Sequence, residues 1–345
     1  MRFTALSFLL AIAMSFVAMA QDGQEPAFRS ESNVVIVPTL VRDRDRNTVY
    51  GLTAQDFIIE DDGVPQKVHL DESATTKPSS IVVVLQLGRR ADYELPRIQG
   101  LSSMLTPLLD GQHAIVALVT FDSRVQQIQG FSTDSSAIAR KLSAVEAGDG
   151  GAAIVDAVDY GVKLLQTTPN DRQRVLLLVS ETRDHGSKKR STDILRELGN
   201  SNIVVYALTF SPSKSNVLDT MRGTNNPDFH PEQTETHEGP DLLAPLILTA
   251  QAMRKNAAKV ITSMTGGEYA QFATGKTFDR DMTEFSNHLY ARYLLSFAAS
   301  KPHPGLHHLV VRLAAPGKSS VLARESYWAA APDSAAPAQQ FPQPN

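Results

Sequence analysis

The sequence predicts an α/β protein with a Rossmann-like, doubly wound and mostly parallel sheet, inserted into a small β-sandwich-like module. Two observations lead to this prediction. Between residues 80 and 290, apolar runs of strand length alternate with segments whose apolar residues recur at helical spacing. The flanks, 28–73 and 291–328, instead hold short alternating runs separated by turns. Neither flank has enough strands for its own core, so we expect the flanks to pack together.

The strongest strand signal is the run from Ile81 to Leu85, which is wholly apolar and mostly β-branched. Such a run is typical of a central parallel strand that is buried on both faces. Further strands are predicted at 114–121, 174–180 and 203–210. Helical spacing is found at 93–109, 135–145, 153–166, 191–198, 241–264 and 279–289. Because strands and helices alternate, we expect helices to cover both faces of the sheet.

The two ends of the chain and one internal segment have compositions that set them apart. Residues 1–20 resemble a secretory signal peptide, with Arg2, an apolar stretch and Ala18-Met19-Ala20 before a predicted cleavage after Ala20. An uncleaved N-terminal anchor is the alternative. We therefore expect a secreted or periplasmic protein without a stable membrane span after cleavage. Residues 211–240 are polar and are predicted to form a mobile insertion. Residues 329–345, rich in Ala, Pro and Gln, are predicted to be disordered.

Composition excludes several classes of function. The 345 residues carry a net charge of -4 and include no cysteine, which rules out disulfides, thiolate nucleophiles and zinc–thiolate sites. Lys and Arg are scattered, so we expect no nucleic-acid partner. Neither a P-loop nor a Gly-x-Ser-x-Gly nucleophile motif is found, and no cofactor is predicted. His303, His307 and His308 lie in a loop and a strand start and lack the spacing of a zinc motif.

Several short motifs occur in an order that resembles a known family. They are Gly51-Leu52-Thr53-Ala54-Gln55-Asp56-Phe57, Glu60-Asp61-Asp62-Gly63, the Ile81 strand, Phe121-Asp122-Ser123-Arg124-Val125, Gly150-Gly151-Ala152-Ala153, Thr265-Gly266-Gly267 and Ala323-Arg324-Glu325-Ser326-Tyr327-Trp328. Together they resemble the von Willebrand factor type A (VWFA)-related secreted bacterial proteins. No single motif is specific, but their order and spacing are.

This resemblance implies a metal-ion-dependent adhesion site at the carboxyl ends of the strands. The family pattern is Asp-x-Ser-x-Ser after the first strand, a Thr in a later loop and an Asp after the fourth strand, which together suit Mg²⁺. Every one of these positions differs in this chain: they are Gln86, Gly88, Arg90, Ala152 and Glu181. Two of the replacements offer no side-chain oxygen, and Arg90 brings a positive charge. We therefore predict a degenerate site that binds no metal.

The resulting hypothesis is a non-enzymatic, metal-independent module that recognises an unknown protein or cell-surface partner. An arginine beside the sheet edge can bind a partner carboxylate directly through a bidentate pair. The candidate partner-binding residues are Arg89, Arg90, Glu181, Arg183 and Asp184. Two alternatives stay open. One is a metal-dependent (Mg²⁺ or Mn²⁺) adhesion domain, in which Gln86, Glu181 and waters hold the ion. The other is a hydrolase of unknown type at the edge formed by residues 181–185.

Overall fold

A computed structural model describes residues 34–71, 77–88, 91–98, 100–111, 114–210, 244–299, 303–315, 317 and 319–330. The predicted signal peptide, the 211–240 insertion and all but the first two residues of the predicted tail lie outside the described residues. The limits predicted for the two domains stay predictions.

The described residues include fourteen strands in three sheets. In chain order they are β1 Val34–Arg42, β2 Phe57–Asp61, β3 Val64–Gln66, β4 His69–Asp71, β5 Ser79–Gln86, β6 Ile115–Phe121, β7 Val125–Ser132, β8 Gln173–Ser180, β9 Ile203–Phe210, β10 Tyr269–Phe272, β11 Tyr293–Ala298, β12 Gly305–Leu313, β13 Ser320–Ala323 and β14 Ser326–Ala329. The central sheet has the order β10-β9-β8-β5-β6-β7. All its neighbouring strands are parallel except β6 and β7. This confirms the predicted fold class.

Helices cover both faces of the central sheet. They are α1 Ala91–Glu94, α2 Leu101–Gly111, α3 Ser135–Ser143, α4 Ile154–Gln166, α5 Ser191–Asn200, α6 Ala244–Lys255, α7 Ala257–Thr265 and α8 Gly275–Leu289. Successive apolar side chains of β5 point to opposite faces of the sheet, so both faces need a cover. Val82 and Val84 pack in the core formed with α4 to α7. Ile81, Val83 and Leu85 pack in the core formed with α2, α3 and α8. A fully buried aliphatic side chain stabilises the fold by about 1.5–3 kcal/mol.

Two secondary-structure predictions for this domain were wrong, and one strand was missed. The helix predicted over 93–109 is broken into α1, a 3₁₀ turn at Leu95–Ile98 and α2, because Pro96 lacks the N–H that a continuous helix needs. The long helix over 241–264 is divided at Asn256, whose Oδ1 accepts from the Lys259 N–H at 2.9 Å and starts α7. β7 was not predicted, since its glutamine-rich, half-exposed sequence resembles a loop.

The flanks form two four-stranded sheets, with the orders β13-β1-β11-β4 and β14-β12-β2-β3. Each sheet mixes strands from both ends of the chain, and their apolar side chains share one core. The predicted β-sandwich-like module is therefore confirmed. Pro38 lies in β1, which has a neighbouring strand on each side. The proline is tolerated because the ladder with β13 begins only at Thr39.

One buried arginine joins the sandwich to the α/β domain. Arg324 is only 4% exposed, and its guanidinium donates to five backbone carbonyl oxygens. The acceptors are Ser326 (2.7 Å), Ser201 (3.1 Å), Ile36 (3.3 Å), Leu198 (3.3 Å) and Gly199. Three of them are the last carbonyls of α5 and the residue after it, where the helix dipole favours a cation. Burial lowers the pKa of Arg324 to about 10, so the side chain stays charged at neutral pH.

Trp328 packs on the same helix. Although it belongs to a strand of the sandwich, it contacts the core of the α/β domain. A Cβ at Gly199 would lie 2.8 Å from the Trp328 Cβ, so only glycine allows this approach. The Arg196 guanidinium lies 5.0 Å from the centre of the indole ring. The carboxyl-terminal strand thus fixes α5, and with it one side of the central sheet.

Candidate functional site

The candidate site lies where β5 and β8 end side by side at the carboxyl edge of the central sheet. Gln86 closes β5 and is fully buried, and Glu181 directly follows β8 and is half-buried. The Gln86 Oε1 accepts from the Glu181 N–H at 2.8 Å. Its Nε2 donates to the Glu181 Oε1 at 3.3 Å and to the Gly88 carbonyl oxygen at 3.1 Å. The backbone donor at Glu181 requires an acceptor, which fixes the orientation of the amide. Both polar atoms of Gln86 are therefore engaged.

Backbone atoms fill the space beside Gly88. A Cβ built on Gly88 would lie 2.1 Å from the Gly151 carbonyl oxygen, 2.7 Å from the Asp149 carbonyl oxygen and 2.9 Å from the Asp122 Cβ. Side chains never approach backbone this closely. The hydroxyl-bearing residue that the family pattern places here is therefore excluded unless the loop of residues 148–151 moves.

Two aspartates hold this loop in place. The Asp149 carboxylate accepts from the Ser123 N–H (2.9 Å), the Ser123 hydroxyl and the Gly151 N–H (2.8 Å). These hydrogen bonds, with that of the Ser123 hydroxyl the strongest, hold the pKa of Asp149 below its usual value. The Asp122 carboxylate accepts from the Arg124 N–H at 2.8 Å and from the Asp149 N–H at 3.2 Å. No role was predicted for either aspartate from the sequence, although Asp122 follows a predicted strand.

The loop after β8 is fastened to the start of α4. The Asp184 Oδ1 accepts from the Val155 N–H at 2.9 Å and from the Ser187 hydroxyl at 2.5 Å. Ala152 and His185 exchange two backbone hydrogen bonds, at 3.0 and 2.8 Å. The residue before α4 is an alanine, so Asp184 supplies from a distance the cap that the helix lacks locally.

The five candidate partner-binding residues differ in position and in exposure to solvent. Arg89 and Arg90 lie outside the described residues. Arg183 is exposed at the sheet edge, and Glu181 is half-buried against Gln86. Asp184 is turned inward to the first turn of α4. Within the described residues, the edge therefore presents Arg183 to solvent, next to a half-buried carboxylate.

The residues at this edge do not fit the octahedral oxygen shell that Mg²⁺ requires. The Gln86 oxygen already accepts from the Glu181 N–H, and one Glu181 oxygen already accepts from the Gln86 Nε2. Gly88 and Ala152 contribute no side-chain oxygen. The Gly151 carbonyl occupies the place where a side chain at position 88 would stand. The arrangement of the described residues is suited to closing the loop, not to holding an ion.

Comparison with known proteins agrees with this architecture. Residues 87–183 match the family model described as von Willebrand factor type A domain. The matched residues run from the end of β5 to the loop after β8 and lie within the α/β domain. This confirms the resemblance predicted from the sequence. No curated protein matches the chain.

Solved structures of similar fold are distant in sequence. BatB from Bacteroides thetaiotaomicron is 14% identical, with 61% of this chain and 98% of that chain covered and a TM-score of 0.40. The SpRpn10 VWA domain is 7% identical, with 59% and 93% covered and a TM-score of 0.38. Proximal thread matrix protein 1 from the mussel byssus, solved with a zinc-occupied MIDAS motif, is 14% identical. For this last structure, 68% of this chain and 50% of that chain are covered, with a TM-score of 0.43.

Von Willebrand factor type A domains are generally modules for protein–protein interaction or adhesion, and not enzymes. Among the helices of the described residues, none combines the length and apolarity needed to cross a bilayer.

Proposed function

We propose that this protein is a non-enzymatic recognition module that acts outside the cytoplasm and binds its partner without a metal ion. The observation that carries the proposal is the close contact between Gly88 and the Gly151 carbonyl. It is supported by the Gln86 amide, whose oxygen and nitrogen are both engaged in hydrogen bonds within the protein. The signal-like segment at 1–20 supports a location in the periplasm or beyond it.

Arginine side chains are proposed to take over the contact that a bound cation makes in metal-dependent relatives. Arg183 is exposed at the edge, and Arg89 and Arg90 follow β5 in the sequence. A guanidinium can bind a carboxylate through two parallel hydrogen bonds and needs no ion between the two proteins. The expected partner is therefore a protein with an exposed Asp or Glu.

The edge at 181–185 does not favour the hydrolase alternative. A hydrolytic site needs a nucleophile within hydrogen-bond reach of a base. Asp184 instead accepts from a backbone N–H and from Ser187. Among the described residues, the His185 side chain makes no hydrogen bond to a hydroxyl or a carboxylate.

Metal independence is tested by the thermal unfolding of chelator-dialysed protein with added Mg²⁺ or Mn²⁺. A ligand that binds only the folded state raises the midpoint by mass action. We expect millimolar metal to shift the unfolding midpoint by less than about 1 °C. If metal did bind, a concentration 100-fold above its Kd would stabilise the folded state by about 2.7 kcal/mol and raise the midpoint by several degrees. A shift of several degrees that disappears in the isosteric variant Glu181→Gln would contradict the proposal.

The arginine contact is tested by partner capture from the envelope fraction of the source cells. The triple variant Arg89→Gln, Arg90→Gln, Arg183→Gln is expected to lose the partner. The control is Arg312→Gln, which changes an exposed arginine of the sandwich that forms an ion pair with Glu60. If the triple variant and the control capture equal amounts of partner, the three arginines do not take part in partner binding.

A further inference from the structure

Two histidines and two aspartates meet at one end of the β-sandwich, far apart in sequence. Pairing of β2 with β12 brings His307 next to Asp61 and Asp62. The His307 Nδ1 lies 2.9 Å from the Asp61 Oδ1 and 2.8 Å from the Asp62 Oδ2. Its Nε2 lies 2.7 Å from the carbonyl oxygen of His303. The His307 side chain is only 3% exposed, so water cannot satisfy these atoms instead.

These contacts determine where the protons of His307 are. A carbonyl oxygen only accepts, so Nε2 carries a proton. A neutral ring would then turn the lone pair of Nδ1 towards two carboxylate oxygens, which repel it. A doubly protonated ring donates from both nitrogens and places a positive charge between the two acids. The geometry therefore requires a cation at Nδ1.

That cation is a proton and not a metal ion. The rings of His303 and His307 are stacked, with centroids 4.1 Å apart and planes at 18°. The lone pair of an imidazole nitrogen lies in the plane of its ring, so the two lone pairs run in nearly parallel planes and do not converge. A shared zinc ion would need both nitrogens to point at one position about 2.0–2.1 Å away.

We propose that protonated His307 is a pH-sensitive latch that fastens the turn after β2 to the loop before β12. The latch has four parts besides His307, and each is a titratable group that faces it. Asp61 accepts a hydrogen bond from it, and Asp62 lies 2.8 Å from its Nδ1 as a charge partner. His303 stacks on it and lies 3.2 Å from the Asp62 Oδ2. Tyr327 of β14 stacks on the other face, at 4.6 Å, and donates to the Asp61 Oδ2 at 2.8 Å. The buried charge of Arg324 lies beyond Tyr327.

The direction of the pH effect follows from the pKa of His307. Burial acts to lower this pKa, but the hydrogen bonds to Asp61 and His303 and the charges of Asp61 and Asp62 together raise it above its ordinary value. A group with a raised pKa in the folded state contributes its stabilisation in full below the unfolded-state pKa of about 6.5. That stabilisation is lost as the pH rises through the folded-state pKa. Above it, the lone pair and the two carboxylates repel, and the turn opens.

The test combines two measurements on the wild-type chain. A histidine titration by NMR is expected to show His307 as an imidazolium whose pKa lies above the ordinary value. Amide exchange reports the opening, because the Asp62 N–H donates to the His308 carbonyl at 2.9 Å. We expect its protection factor to fall about tenfold once His307 deprotonates, because local opening of the turn then costs less free energy.

Two variants make the result specific. His308→Gln changes an exposed neighbour on the same strand and should keep the pH dependence. His307→Gln should abolish it and give low protection at Asp62 at every pH. The proposal is overturned if His307 titrates below its ordinary value, or if protection at Asp62 is the same on both sides of the titration. Stabilisation by Zn²⁺ that is lost in His303→Gln would also overturn it, in favour of a metal site.

Discussion

Two buried polar clusters of this protein do different work: the junction around Arg324 and the carboxyl edge around Gln86. At the junction, one guanidinium donates to carbonyls from β1, α5 and β14 and so connects both domains. At the edge, the Gln86 amide bonds to the backbone N–H and the carboxylate of Glu181, and the nearest loop is packed against Gly88. The difference shows that a buried polar side chain can serve either to join two domains, as Arg324 does, or to hold neighbouring loops in place, as Gln86 does.

The junction should carry the larger energy. Arg324→Met removes the donor of five carbonyl oxygens in a buried place, and each unsatisfied buried acceptor costs about 1–3 kcal/mol. Since some of these carbonyls have other donors, we expect a loss of about 3–5 kcal/mol in the free energy of unfolding, measured in urea. Arg312→Met, at an exposed ion pair, should cost less than about 1 kcal/mol. Equal losses in the two variants would show that the junction is not specially stabilising.

The edge should respond to added volume. Gly88→Ser places a side chain within the contact distance of the Gly151 carbonyl, and overpacking of this kind costs about 1–3 kcal/mol. Gly150→Ser is the matched control in the same loop, because nothing lies within 4 Å of a Cβ there. The control should stay within about 0.5 kcal/mol of the wild type. If Gly88→Ser leaves the free energy of unfolding unchanged and the variant also binds Mg²⁺, the Gly151 carbonyl does not block the space beside position 88.

The smallest expected effect concerns the remote cap of α4. Asp184→Ala removes the acceptor of the Val155 N–H and should cost about 1 kcal/mol of unfolding free energy in urea. Asp134→Ala is the comparison: Asp134 caps its own helix, α3, by accepting from the Ala137 N–H at 3.0 Å. Similar losses would show that a cap from a distant loop works as well as a local one. If Asp184→Ala leaves the stability unchanged, the Asp184 carboxylate is not needed as a helix cap, and in the wild type it is then a candidate for partner binding.

Sequence reasoning predicted the parts of the fold that depend on pattern. The β-branched run at Ile81 marks the centre of a parallel sheet because burial on both faces leaves no room for polar residues. β7 was missed since an edge strand needs no such run. Helix breaks at Pro96 and Asn256 depend on single residues, which periodicity over a longer window conceals.

For the candidate site, the sequence predicts which residues lie at the sheet edge but not how they are arranged. The sequence shows that Gln86, Gly88 and Ala152 differ from the family pattern, but not that the Gly151 carbonyl fills the space they leave. That space depends on the path of a loop, which Asp122 and Asp149 hold through backbone contacts. Likewise, no local spacing indicates the cluster at His307, because strand pairing joins residues that are 246 positions apart.

The most direct test of the filled edge is a crystal of the chelator-dialysed protein soaked in Mn²⁺ and measured at the manganese absorption edge. The account predicts no anomalous peak between the side chains of Gln86 and Glu181, and a Gly151 carbonyl still in contact with Gly88. An ordered peak there, coordinated by Glu181 and waters with the loop displaced, would contradict it.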